Sequence, residues 1–224
     1  DVVVIYFSGH GSQIRDRDGD ELTDYLDELI CPHDMDWDRQ TYIVDDDLDA
    51  LFHEIPEGVL LEVFFDCCFF GAGTESGELE VWVDPADLGP GLRYLPPPLD
   101  IGSRTAGDVA QLDIHTFAQC QCFAGRNVLW AASAEGQPAV EDDLDGRTHG
   151  VFTYWGCRFI EANAERIWQG GYSRGELVDE LRSYLNSLGY VQDVQLAAPG
   201  ALLGLEPFTF AEWMSGVLSH SHGT

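Results

Sequence analysis

An α/β fold with a mostly parallel central sheet flanked by helices is the architecture this sequence predicts, and three observations carry it. First, residues 1–7 (DVVVIYF), 58–65 (GVLLEVFF) and 127–132 (NVLWAA) are runs of apolar residues on consecutive positions. Runs of that kind suit strands covered on both faces, as in a parallel sheet under helices. Second, 45–54 (DDDLDALFHE) lies between the first two runs, with Leu48, Leu51 and Phe52 at helical spacing behind an acidic first turn that complements a helix N-terminus. Third, helical patterns follow the last run at 150–164 and at 173–188, where Ser173 can cap and Leu177, Leu181, Tyr184, Leu185 and Leu188 share a face. The segment 71–125 differs in kind, rich in Gly, Pro and acids with little periodicity. A loop that long within a domain is usually functional or disordered. We divide the chain into one domain at 1–206 and a tail at 207–224, where aromatics give way to a polar end containing His220 and His222.

With 224 residues the chain is long enough for one sizeable core. Acids number 40 against 11 bases, giving a formal net charge of -29, and every base is arginine. Such a surface repels nucleic acid and anionic membranes and favours cations and basic ligands. Acid-rich, lysine-free composition also suits salt adaptation, and the two readings are compatible. No run reaches the roughly 18 to 20 apolar residues of a membrane span. Six cysteines occur without a CxxC pair or an ordered spacing to histidine, which argues against structural zinc and for free thiols in a reducing, cytoplasmic compartment.

Ligands of open α/β sheets bind beyond the carboxyl ends of the strands. His10 follows the first strand and Cys68 the second, so a parallel arrangement sets both on one sheet edge, where a histidine can take a thiol's proton. Gly9 and Gly11 free the backbone around His10 to turn and present an amide to a developing oxyanion.

The stretches "YFSGHGSQ", "DGDE…DELICPHD", "IVDDDLDALF" and "VFFDCC", in that order, resemble metacaspases and the bacterial caspase-like cysteine peptidases, as does "LWAASAEGQPAVEDDLDGRTHGVFTYW" at 129–155. The resemblance covers roughly residues 1–190 and implies a caspase-like fold. Position by position, it makes His10 the catalytic histidine and Cys68 the nucleophile, with the amides of Gly11 and Cys68 holding the oxyanion. Ser8 and Asp66 match positions of a pocket for a basic residue before the scissile bond, so cleavage after Arg or Lys is implied, on protein or peptide substrates. Asp27, Asp45 and Asp46 match acids that hold an activating calcium, and Glu75 sits where a fourth acidic ligand could be. The run at 16–28 is itself no EF-hand, since its glycine falls at the fourth position rather than the sixth. A monomer is the family's habit.

Two departures from the family pattern stand out. After the cysteine, Phe69 and Phe70 replace a polar pair and make the lip of the site apolar. The family also has a strand, a helix and further segments before the SGHG strand, so a missing N-terminal segment is an expected partner. Arg93, Arg104 and Arg126 in or at the end of the long loop are candidate self-processing sites. The expectation is a calcium-activated, self-processing cysteine endopeptidase. The alternatives are a caspase-like pseudo-peptidase that binds partners, and a calcium-binding acidic module without catalysis.

Overall fold

Val2–Ser8 (β1) and Leu60–Asp66 (β5) lie side by side and parallel, in a register that pairs Val2 with Leu60 and Ser8 with Asp66. The computed structural model describes residues 1–15, 26–56, 58–68, 91–95, 97, 127–134 and 137–204. Asn127–Ala131 (β6) adds to β5 in parallel, and Gln195–Ala197 (β9) closes the far edge antiparallel, giving the order β1-β5-β6-β9. The fold is thus mixed α/β with a mostly parallel central sheet, as the apolar runs lead one to expect.

Consecutive apolar residues are needed because both faces of the sheet are covered. Leu61, Val63, Phe65 and Leu129 point to one face, where they meet Leu48 and Phe52 of the helix Asp45–His53 (α1). Val128 and Trp130 point to the other, against Val151, Phe152 and Phe159 of Val151–Ala162 (α2) and Leu177, Val178, Leu181 and Leu185 of Arg174–Ser187 (α4). Each side chain so buried stabilises the fold by about 1.5–3 kcal/mol. α4 starts on a capping box: the Ser173 hydroxyl accepts from the Glu176 amide at 3.2 Å, while the Glu176 carboxylate accepts from the Ser173 amide at 2.8 Å.

The sequence places one helix at 150–164, but the chain breaks at Asn163 and resumes as the short Ala164–Trp168 (α3). A last short helix is Gly200–Leu203 (α5). A smaller antiparallel sheet is also present: His10–Arg15 (β2), Leu26–Cys31 (β3) and Ile43–Val44 (β4), over a core of Ile14, Leu29, Tyr42 and Val44. The hairpin of Glu141–Leu144 (β7) and Arg147–Gly150 (β8) leads directly into α2. Among the described residues β1 is an edge strand beside β5, with Val3, Val4 and Tyr6 exposed. No helix among the described residues is long and apolar enough to cross a membrane.

Candidate active site

The parallel register of β1 and β5 brings the two strand ends together. One step past the Ser8–Asp66 pair, the Gly9 amide donates to the Asp66 carbonyl at 3.2 Å, after which the chain leaves the main sheet and enters β2. His10 opens β2 opposite Cys31 of β3 and is exposed. Cys67 and Cys68, just past β5, are buried. The Cys68 thiol donates to the Ala139 carbonyl at 3.0 Å, and Sγ accepts from the Ala139 amide at 2.8 Å. Burial pushes the Cys68 thiol up to about 11, against the opposing effect of backbone hydrogen bonds, and burial drives Cys67 well above its ordinary value. Among the described residues no hydrogen bond joins His10 to Cys68, so the thiol is held protonated against the backbone of 139.

Arg93 fills the space between these strand ends, and it is buried. Its carbonyl oxygen accepts from the Gly11 amide at 3.0 Å and the Cys68 amide at 3.1 Å. Its own amide donates to the Ala139 carbonyl at 3.1 Å, and the Glu141 amide donates to the Gly91 carbonyl at 2.7 Å, so the residues before Arg93 run antiparallel along 139–141. On the other side of Arg93, the Leu95 amide donates to the Gly11 carbonyl at 2.9 Å.

The guanidinium is bonded at each nitrogen. Nε donates to the Asp66 carbonyl at 2.8 Å and lies 3.5 Å from Asp66 Oδ1; Nη2 donates to Ser8 Oγ at 2.8 Å; Nη1 pairs with Glu141 Oε2 at 3.2 Å. Asp66 is in turn fixed by Thr153, whose amide and hydroxyl both donate to Oδ2, at 2.9 and 2.5 Å. Because the Thr153 proton goes to Asp66, the Tyr6 hydroxyl, 2.5 Å away, is the donor to Thr153. Burial raises the Asp66 carboxyl, and the charge of Arg93 and the Thr153 bonds work against that rise.

Ser8, Gly11, Asp66 and Cys68 therefore surround one arginine side chain and its carbonyl. Sequence reasoning singled out Arg93, but not the seat it occupies. It also missed Ala139, Glu141, Gly150 and Thr153. Glu141 is hidden at the head of an acid run, and only the resemblance of "HGVFT" marked the neighbourhood of Gly150 and Thr153.

Of the acids expected to hold calcium, Asp27, Asp45 and Asp46 lie on two neighbouring elements, β3 and α1. Asp27 is buried on β3, and Asp45 and Asp46 form the first turn of α1, which packs against β3. Among the described residues no group of three or more His, Cys, Asp or Glu side chains is disposed to hold a metal ion. Glu75 lies outside the described residues, as do Phe69, Phe70, Arg104 and Arg126.

Residues 1–75 match the family model of the metacaspase peptidase C14 domain. Over that N-terminal third the chain is similar to metacaspases. Metacaspase-1 of Arabidopsis thaliana is 42% identical over 72 residues, covering 32% of this chain and 19% of that protein. Metacaspase-2 of Trypanosoma brucei brucei is likewise 42% identical, over 73 residues. Metacaspase-1A of Neurospora crassa is 25% identical over 223 residues, which covers 88% of this chain and 46% of that metacaspase, so the chain spans less than half its length. In fold, the chain is similar to a crystal structure of a Geobacter sulfurreducens protein, with a TM-score of 0.51 at 20% identity, covering 93% of this chain and 71% of that one. The metacaspase match and the strand ends that hold Arg93 coincide in sequence: Ser8, His10, Gly11, Asp66 and Cys68 all fall within residues 1–75.

Proposed function

We propose that the protein is a cysteine endopeptidase that cleaves after a basic residue, and that the bond between Arg93 and Tyr94 is one of its substrates. One observation carries the proposal: Arg93 sits with its carbonyl between two amide donors and its guanidinium among Ser8, Asp66 and Glu141, as a residue before a scissile bond must. In the reaction His10 takes the Cys68 proton, and Sγ attacks the carbonyl carbon of the basic residue. The oxygen becomes an oxyanion held by the Gly11 and Cys68 amides. The C–N bond then breaks, His10 returns the proton to the leaving amine, and water hydrolyses the thioester with His10 again as base. Before attack, Sγ has to leave Ala139, and the imidazole has to reach it. The uncleaved chain is thus in a resting state.

Hydrolysis of matched fluorogenic peptides ending in Arg, Lys or Asp tests the reading, with Cys68→Ala as control. Expected is cleavage after Arg and Lys, none after Asp, and loss of at least about a thousandfold in the variant. Equal rates in Cys68→Ala would overturn it. Calcium activation is a further part of the proposal, supported by the family resemblance of Asp27, Asp45, Asp46 and Glu75. Titration calorimetry with calcium, and the same assay with chelator, tests it; no heat and an unchanged rate would remove it. A reducing, cytoplasmic setting belongs to the same reading, supported by six cysteines without a CxxC pair.

A non-catalytic scaffold is the second reading. The occupied pocket and the protonated thiol favour it, and the same assay decides against it if cleavage occurs.

A further inference from the structure

We infer that Glu141 is a specificity-determining residue that makes the pocket select arginine over lysine. The inference rests on the pocket reading above and deepens it. Three acceptors from three elements meet three different nitrogens of the Arg93 side chain: the Asp66 carbonyl at Nε, Ser8 Oγ at Nη2 and Glu141 Oε2 at Nη1. The fork of the guanidinium matches that spread, whereas an ammonium is a single point. A lysine nitrogen reaches only to where the central guanidinium carbon stands, one bond short of the two outer nitrogens. It can approach Asp66, but Glu141 and Ser8 stand beyond its contact.

The space for the outer nitrogens is built by the hairpin. Glu141 pairs with Gly150 across β7 and β8. A Cβ at position 150 would collide with Asp66 Oδ2 and stand 2.9 Å from Arg93 Nη1. Glycine there leaves the gap opposite Glu141 open, and the guanidinium occupies it. Glu141 also sets the backbone of the bound strand, since its amide holds the Gly91 carbonyl. Its side chain is 27% exposed, so its effect is that of a partly screened charge-assisted bond rather than a fully buried one.

The test has two arms. In the first, kcat/KM is measured on Arg and Lys peptides otherwise identical, for the wild type, Glu141→Gln, Glu141→Asp and Gly150→Ala. The wild type is expected to prefer Arg by about tenfold or more. Glu141→Gln, which keeps the backbone amide, is expected to lower the Arg rate about tenfold with little change for Lys. Glu141→Asp should recover part of the preference, whereas Gly150→Ala, whose Cβ would displace the Asp66 carboxylate, should lower cleavage after both residues.

The second arm needs no catalysis. In the full chain carrying Cys68→Ala and Arg93→Ala, the pocket is vacated, and binding of acetyl-Gly-Leu-Arg-amide and acetyl-Gly-Leu-Lys-amide is compared by calorimetry, with and without Glu141→Gln. The arginine peptide should bind about tenfold tighter, and the gap should close in the variant. Equal affinities, no binding of either peptide, or a preference that survives Glu141→Gln would overturn the inference. Cleavage after both residues at equal rates would overturn it while leaving the peptidase reading intact. Discriminating binding without any cleavage would sustain it while the peptidase reading fails.

Discussion

Cys68 shows how much chemistry a single residue's surroundings can withhold. Its thiol is pushed from 9.0 up to about 11, chiefly by burial, so at neutral pH it carries about a hundredfold less thiolate than an ordinary cysteine. Alkylation of Cys68 by iodoacetamide in the uncleaved chain should accordingly be about a hundredfold slower than that of a model thiol, read by peptide mass spectrometry. Labelling at the model rate would contradict the resting state. The sign for stability follows: a thiol whose folded value is raised contributes stability fully present below 9.0 and lost as pH climbs through about 11. That His10 and Cys68 follow the ends of neighbouring strands is legible in the sequence, because two apolar runs stop beside them. That Sγ bonds to Ala139 is not, because the partner lies 71 residues away and offers only backbone. Asp66 is a similar case. Its position before the cysteines can be read, whereas its anchoring by Thr153 depends on how α2 docks.

At the scale of elements, the pocket is made where β1, β5 and the β7–β8 hairpin converge on the strand-like stretch 91–95. Gly91 has φ +108°, and a Cβ there would stand 2.8 Å from the Glu141 carbonyl oxygen. Gly91→Val should therefore unseat the stretch and slow cleavage after Arg93 by at least about tenfold in a gel time course, since two hydrogen bonds to 139–141 go with it. An unchanged time course would show that the seat does not govern the cut. The helices α1 and α4 were legible from apolar spacing and, for α4, from Ser173; Ser173→Ala should cost about 1 kcal/mol in urea unfolding. The hairpins were not legible. β3 carries buried Asp27 and Glu28, and β7 is mostly acid, so both read as solvated loops. Backbone pairing supplied what side-chain patterning could not signal.

At the scale of the whole molecule, a fully buried charge pair ties sheet to helix, while the chain carries a large excess of acids. Glu62 on β5 and Arg174 on α4 are both fully buried and ion-paired, which joins the central sheet to the helix covering it. Arg174→Met alone should destabilise the fold by about 3–5 kcal/mol, whereas combining it with Glu62→Leu should restore most of the loss. The net charge of -29 adds self-repulsion that salt screens, so the unfolding midpoint should rise between low and molar salt. The parallel sheet and its covered faces follow from the three apolar runs; the seating of Arg93 follows from tertiary packing alone. The central claim, that this seat is a cleavage site, is tested most directly by intact mass and N-terminal sequencing of the purified chain after incubation. The expected result is a fragment beginning at Tyr94, absent from Cys68→Ala and from Arg93→Ala. A chain that stays whole, or that yields the same fragment in Cys68→Ala, would contradict it.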